Sequence, residues 1–127
     1  MHSDHSRKRI LIVEDEPFVA EVVKCALQDQ HDIDWAADAN GAVAQMTGHP
    51  PDLVIADCLL PGGSLHRLLS KAGLLGAPVV VMSGHAEMLG QFGASGYPCL
   101  HKPFELDELL QTVDDSLHGR WAELPVR

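Results

Sequence analysis

No apolar stretch in these 127 residues approaches the roughly 20 needed to span a bilayer. The opening residues, Met1-His2-Ser3-Asp4-His5-Ser6-Arg7-Lys8-Arg9, have no apolar core behind their charges and do not read as a secretory signal. Cysteine is sparse. Cys25, Cys58 and Cys99 form no CxxC pair and are odd in number, which argues against a disulfide framework and fits reduced thiols in a cytoplasm. Basic residues are outnumbered, with nine Lys and Arg against 18 Asp and Glu, for a net charge of −9. A chain of that sign is repelled by phosphate backbones, which argues against direct nucleic-acid binding. The one basic run, Arg7-Lys8-Arg9, is short and reads as the solvated entry to a strand. Neither GxxxxGKS/T nor GxGxxG nor GxSxG is present, so the common nucleotide-binding and hydrolase signatures are missing. There are eight histidines, but His31, His49, His66, His85, His101 and His118 share no ligand spacing such as HxxxH, and a transition-metal site is not indicated.

What remains is an ordinary globular composition, 46% apolar and 21% charged, in one domain's length of chain. At that size about two thirds of the unfolded surface can be buried. Apolar runs alternate with helical periodicity, the pattern of a parallel sheet covered on both faces. Ile10–Val13 is continuous and β-branched, as a strand buried on both faces requires. After Pro17, which suits a first helical turn, Val19, Val22, Val23, Ala26 and Leu27 fall at helical spacing. Further strands are expected at Ile33–Ala36, Leu53–Ala56, Pro78–Met82 and Cys99–His101. Ala39–Met46 is expected to be a short helix, closed by Gly48 and Pro50-Pro51. A Gly62-Gly63 turn should precede a helix with Leu65, Leu68 and Leu69 inward. His85–Ser95, with Gly90 and Gly93, is the weakest helical segment. Leu106, Leu109, Leu110, Val113 and Leu117 define the last helix, and Glu105 and Asp107 suit its N-terminus. A single domain over 1–127, with a core about 9–118, accounts for the chain.

The ends of these runs are chemically unlike their interiors. The first ends in Glu14-Asp15, the third in Asp57, the fourth in Ser83 and the fifth in Lys102-Pro103. If the runs are parallel strands, their carboxyl ends gather three acids, a hydroxyl and an ammonium where open α/β sheets bind ligands. Each residue alone has a plainer reading. A lone Asp57 would suit an Asx turn, a lone Ser83 a helix cap, a lone Lys102 a solvated surface. It is their company that argues for a site.

The segments Val13-Glu14-Asp15-Glu16-Pro17, Asp57-Cys58-Leu59-Leu60-Pro61, Met82-Ser83-Gly84 and His101-Lys102-Pro103-Phe104, in this order, resemble those of response-regulator receiver domains. The resemblance covers roughly Arg9 to Leu117. It implies a flavodoxin-like, doubly wound, five-stranded parallel sheet in the order 2-1-3-4-5. It also implies that Asp57 is the phosphoacceptor, with Lys102 and Ser83 contacting phosphoryl oxygens. Mg²⁺ would be held by Asp15, Asp57 and the Leu59 backbone carbonyl, with Glu14 acting through a coordinated water. Such a domain catalyses only its own phosphorylation and dephosphorylation. A histidine kinase or histidine phosphotransfer protein would supply the phosphoryl group. A downstream protein would read the face of the fourth helix, fifth strand and fifth helix. No membrane partner is implied. Met1 and the tail from Arg120 favour a stand-alone receiver over a module of a longer regulator or hybrid kinase. Two positions depart from the family pattern. Cys99 occupies the place of a usual Tyr or Phe, with Tyr97 two residues earlier, and Ser83 replaces the commoner Thr. Leu59 and His85 flank the phosphate, at positions that are variable in the family and tune phosphoryl lifetime. Cys58 reads as a small buried hydrophobe.

Overall fold

Each expected strand is present in the computed structural model, which describes residues 7–60 and 65–119. Strands β1 (Arg9–Val13), β2 (Asp32–Ala36), β3 (Leu53–Asp57), β4 (Val79–Ser83) and β5 (Cys99–His101) form one parallel sheet in the order β2-β1-β3-β4-β5. Helices α1 (Pro17–Leu27), α2 (Ala39–Gly48), α3 (Leu65–Leu75) and α4 (Ala86–Ala94) connect successive strands, and α5 (Leu106–Leu117) follows the last. The flavodoxin-like order is the one expected. Pro61, the Gly62-Gly63 turn, the first six residues and the tail from Arg120 lie outside the described residues.

Alternation along the strands divides the core in two. Leu11, Val13, Val54, Ala56, Val79 and Val81 face α2, α3 and α4, where Ala42, Met46, Leu68, Ala72 and Leu89 meet them. Ile10, Ile12, Leu53, Ile55, Val80, Met82 and Leu100 face α1 and α5, against Ala20, Val23, Leu27, Leu109 and Val113. The three central strands are therefore apolar on both faces, which explains their unbroken apolar runs.

Several boundaries differ from the sequence expectation. Asp57 and Ser83 are strand residues themselves, because Asp57 pairs with Met82 and Ser83 with His101. β2 begins at Asp32, opposite Arg9, and α2 continues to Gly48. Pro17 does open α1, yet its buried stripe is Ala20, Val23 and Leu27, while Val22 is 46% exposed. Val23 and Leu27 are thus buried as their spacing predicts, Ala20 takes the place expected for Val22, and Val19 and Ala26 are half-buried at the edge of the stripe. In α3 only Leu68 of the three expected leucines is fully buried, with Leu65 and Leu69 partly so. Leu106 of α5 is exposed, while Leu109 and Val113 are buried. A reciprocal capping box between Glu105 and Glu108 opens α5. Gly76 (φ 72°) and Gly96 (φ 96°) turn the chain into β4 and towards β5 in a backbone region that a side chain would strain. Among the described residues, no helix is long and apolar enough to cross a membrane.

Candidate functional site

The sheet reverses its winding between β1 and β3, so a crevice opens above their carboxyl ends. The backbone ladder runs one bond beyond the strand ends and fixes what lines it. The Glu14 N–H donates to the Ala36 carbonyl (3.1 Å), the Cys58 N–H to that of Met82 (2.8 Å) and the Lys102 N–H to that of Ser83 (2.8 Å). Strand parity then sorts the side chains. Glu14, Asp57 and Lys102 continue the Ile12, Ile55 and Leu100 rows on one face. Cys58 and Ser83 continue the rows on the other.

The first three meet accordingly. Lys102 Nζ donates to Glu14 Oε1 at 2.8 Å and to Asp57 Oδ2 at 2.6 Å. Glu14 is fully buried, and its Oε2 accepts from the Glu16 N–H at 3.1 Å. Asp57 Oδ1 accepts from the Leu59 N–H at 3.0 Å. Asp15 is exposed at the rim. Ligand oxygens of Glu14, Asp15 and Asp57 all lie within 4.8 Å of one another. An open pocket of about 350 Å³ is lined by Asp15, Glu16, Asp57, Leu59, Ser83, Gly84, His85 and Lys102. A larger recess, about 460 Å³, lies around Lys8, Asp52, Gly76 and Leu117 at the opposite strand ends and holds none of these groups.

The electrostatics follow from burial set against pairing. Burial pushes the Glu14 carboxyl above its ordinary value, and the Lys102 ammonium only partly offsets this. Burial also pulls the Lys102 ammonium down, but its hydrogen bonds to Asp57 and Glu14 outweigh this and leave it raised. Ser83 is buried, and its Oγ accepts from the His85 N–H at 2.9 Å, an ST-type turn that aims the start of α4. Burial, and then the neighbouring Asp57 charge, push the Cys58 thiol up to about 11, so it stays an inert small hydrophobe as its sequence setting suggests.

The sequence-derived residues therefore converge: Glu14, Asp15, Asp57 and Lys102 around one set of oxygens, with Ser83 and Leu59 on the pocket wall. Cys99 is half-buried, with its Sγ against the Tyr97 and Leu89 carbonyls, and Tyr97 stacks edge-on to Phe92 at 6.1 Å. Two contacts were not expected from sequence. Glu16 closes on Glu14 through its backbone, and the Trp35 indole N–H donates to the Glu14 carbonyl at 2.8 Å. Parity along β1, β3 and β5 would have revealed the Glu14–Lys102–Asp57 group; nothing in a linear sequence signals the Trp35 contact.

A doubly wound sheet with buried acids and an ammonium at its switch point is the architecture of a receiver domain. Residues 10–114 match the family model described as response regulator receiver domain, and the chain belongs to that family. It is 33% identical over 116 residues to the nitrogen assimilation regulatory protein NtrX of Azorhizobium caulinodans, covering 85% of this chain and 26% of that protein. It is 36% identical over 125 residues to the response regulator Rre1 of a Synechocystis species, covering 89% and 53%. The chain thus spans between about a quarter and about half the length of these curated relatives. Among solved structures, the signal receiver domain of a protein described as a Luxo repressor from Vibrio parahaemolyticus superposes with a TM-score of 0.79 at 25% identity. That match covers 92% of this chain and 95% of the other.

Proposed function

We infer that the chain is a phosphoacceptor of two-component signalling, with Asp57 taking a phosphoryl group from a histidine kinase or histidine phosphotransfer protein. One observation supports this above the others: an ammonium bridges a nearly buried Asp57 and a fully buried Glu14 at the mouth of an open pocket. A carboxylate attacking a phosphoryl group brings like charges together, so catalysis consists of positioning and neutralisation. Asp57 supplies the nucleophilic oxygen. A P–O bond forms to it as the bond from phosphorus to the donor nitrogen breaks. Lys102 provides a compact positive charge that can pass from Asp57 to a phosphoryl oxygen, and the Ser83 hydroxyl can donate to another.

Three clustered carboxylates are a hard-oxygen donor set that fits Mg²⁺. Asp15, Asp57 and the Leu59 carbonyl would hold it, with Glu14 acting through a water. When bound, it neutralises the charge on the transferring group. Glu14 is also Lys102's second anchor, so it keeps the ammonium within reach of Asp57.

The phosphorylated form would be read by a protein partner on the face of α4, β5 and α5, because Ser83 leads into α4 and Lys102 leaves β5. The net charge of −9 favours a protein over nucleic acid as that partner. The domain turns over no substrate beyond its own phosphoryl group, and cytoplasmic residence suits such a donor. The relatives' greater length supports a second reading, in which this chain is the receiver module of a longer regulator. Incubation with acetyl phosphate and Mg²⁺ should add one phosphoryl group, about 80 mass units. Asp57→Asn should abolish the addition; labelling of that variant at the wild-type rate would sink the assignment.

A further inference from the structure

Trp35 stands on β2, the edge strand, and is 44% exposed. Its indole N–H donates to the Glu14 carbonyl at 2.8 Å, and its own carbonyl accepts from Gln45 Nε2 of α2 at 2.9 Å. The next residue, Ala36, accepts from the Glu14 N–H. Two consecutive β2 residues therefore hold the Glu14 backbone at both its N–H and its carbonyl. The carbonyl oxygen that Trp35 takes belongs to the Glu14–Asp15 peptide. A peptide unit is planar, so fixing its oxygen fixes the direction in which the chain leaves β1 at Asp15. Asp15 is exposed at the pocket rim, yet its carboxylate lies within 4.8 Å of those of Glu14 and Asp57. Hard cations such as Mg²⁺ demand near-ideal octahedral geometry, so a swing of this one peptide would weaken the whole donor set.

We propose that Trp35 is a positioning residue for the cation site, its indole N–H setting the Glu14–Asp15 peptide so that the Asp15 carboxylate faces Asp57. This rests on the reading of Glu14, Asp15 and Asp57 as an Mg²⁺ site. An aromatic ring on an edge strand could serve strand pairing alone, and that role would be indifferent to the ring nitrogen. The test removes the N–H and keeps the shape. In a Trp121→Phe background, Trp35 is the sole tryptophan, and biosynthetic incorporation of 3-benzothienylalanine replaces its N–H with sulfur. Trp35→Phe is the encoded counterpart. Calorimetric titration with MgCl₂ should give a dissociation constant about five- to tenfold weaker in both, the effect of losing one supporting hydrogen bond. Thermal unfolding of the benzothiophene protein should stay close to that of its parent. Equal Mg²⁺ affinity in the parent and benzothiophene proteins overturns the proposal alone. Absence of Mg²⁺ binding in all of them overturns the site reading as well.

Discussion

Lys102 holds the metal-free site together, and removing it should show how much charge the acids carry. Lys102→Ala would leave a fully buried Glu14 and a nearly buried Asp57 without their cation. Breaking such a pair costs about 3 kcal/mol where it is wholly buried, and somewhat less here because Lys102 is 22% exposed. The melting temperature should fall. Because the Lys102 pKa is raised in the folded state, its contribution is complete below about 10.5 and fades as pH rises through the folded value. The gap between variant and wild type should therefore persist across neutral pH and close only in strong alkali. Asp15→Asn should act in the opposite direction, raising metal-free stability modestly by relieving repulsion among three acids while weakening Mg²⁺ binding. A variant with unchanged Mg²⁺ dependence would contradict the ligand role. Glu14 carries its own sign. Its pKa is raised on folding, so its contribution is present below about 4.5 and is lost as pH rises through the folded value. These residue types were legible in the chain because each ends an apolar run. The complete burial of Glu14 was not, since it depends on Lys102 reaching from the end of β5 past β4 and β3 to meet it.

At the scale of the element, α4 buries the fewest residues of the five helices described. It buries only Leu89, worth about 2 kcal/mol, where α5 buries Leu109, Val113 and Ser116. Gly90 lies within it with nothing inside 4 Å of the position a Cβ would take. Gly90→Ala should accordingly stabilise the protein by up to about 1 kcal/mol, and a fall in melting temperature would show hidden crowding. Weak anchoring suits the rearrangement proposed for the face of α4, β5 and α5. Beryllofluoride, a phosphoryl mimic, should change amide exchange most between residues 84 and 104, with the wild-type response damped in Gly90→Ala. Silence there, with changes confined to α1 and α2, would show the signal leaving by another face. Cys99 places no ring at the end of this path, and Tyr97 is already packed on Phe92, so the change should run through the loop after Ser83. The weakness of α4 was legible from its glycines. In α1, Val23 and Leu27 were legible from their spacing, but Ala20 in place of Val22 was not, because only the docked helix decides which of the two faces the sheet.

Across the whole molecule, alternating apolar runs and helical stretches indicated a parallel sheet covered on both faces. The particular strand order came with the family resemblance, since periodicity alone does not choose between neighbours. The order matters for chemistry: with β2 and β3 on opposite sides of β1, the acids of β1 and β3 share one crevice. Excess negative charge is concentrated at that end by Glu14, Asp15, Glu16 and Asp57, with Lys102 the counter-charge bonded to two of them. A cation fits that field, and once bound it would offset the charge of an incoming phosphoryl group; a polyanion does not fit it. The central claim is that this crevice delivers a phosphoryl group to Asp57 and to no other side chain. The most direct measurement treats the protein with acetyl phosphate and Mg²⁺, reduces it with borohydride, which converts an aspartyl phosphate to homoserine, and locates the change by tandem mass spectrometry. The expected result is homoserine at position 57 alone, dependent on Mg²⁺; homoserine at another acid with Asp57 intact would contradict it.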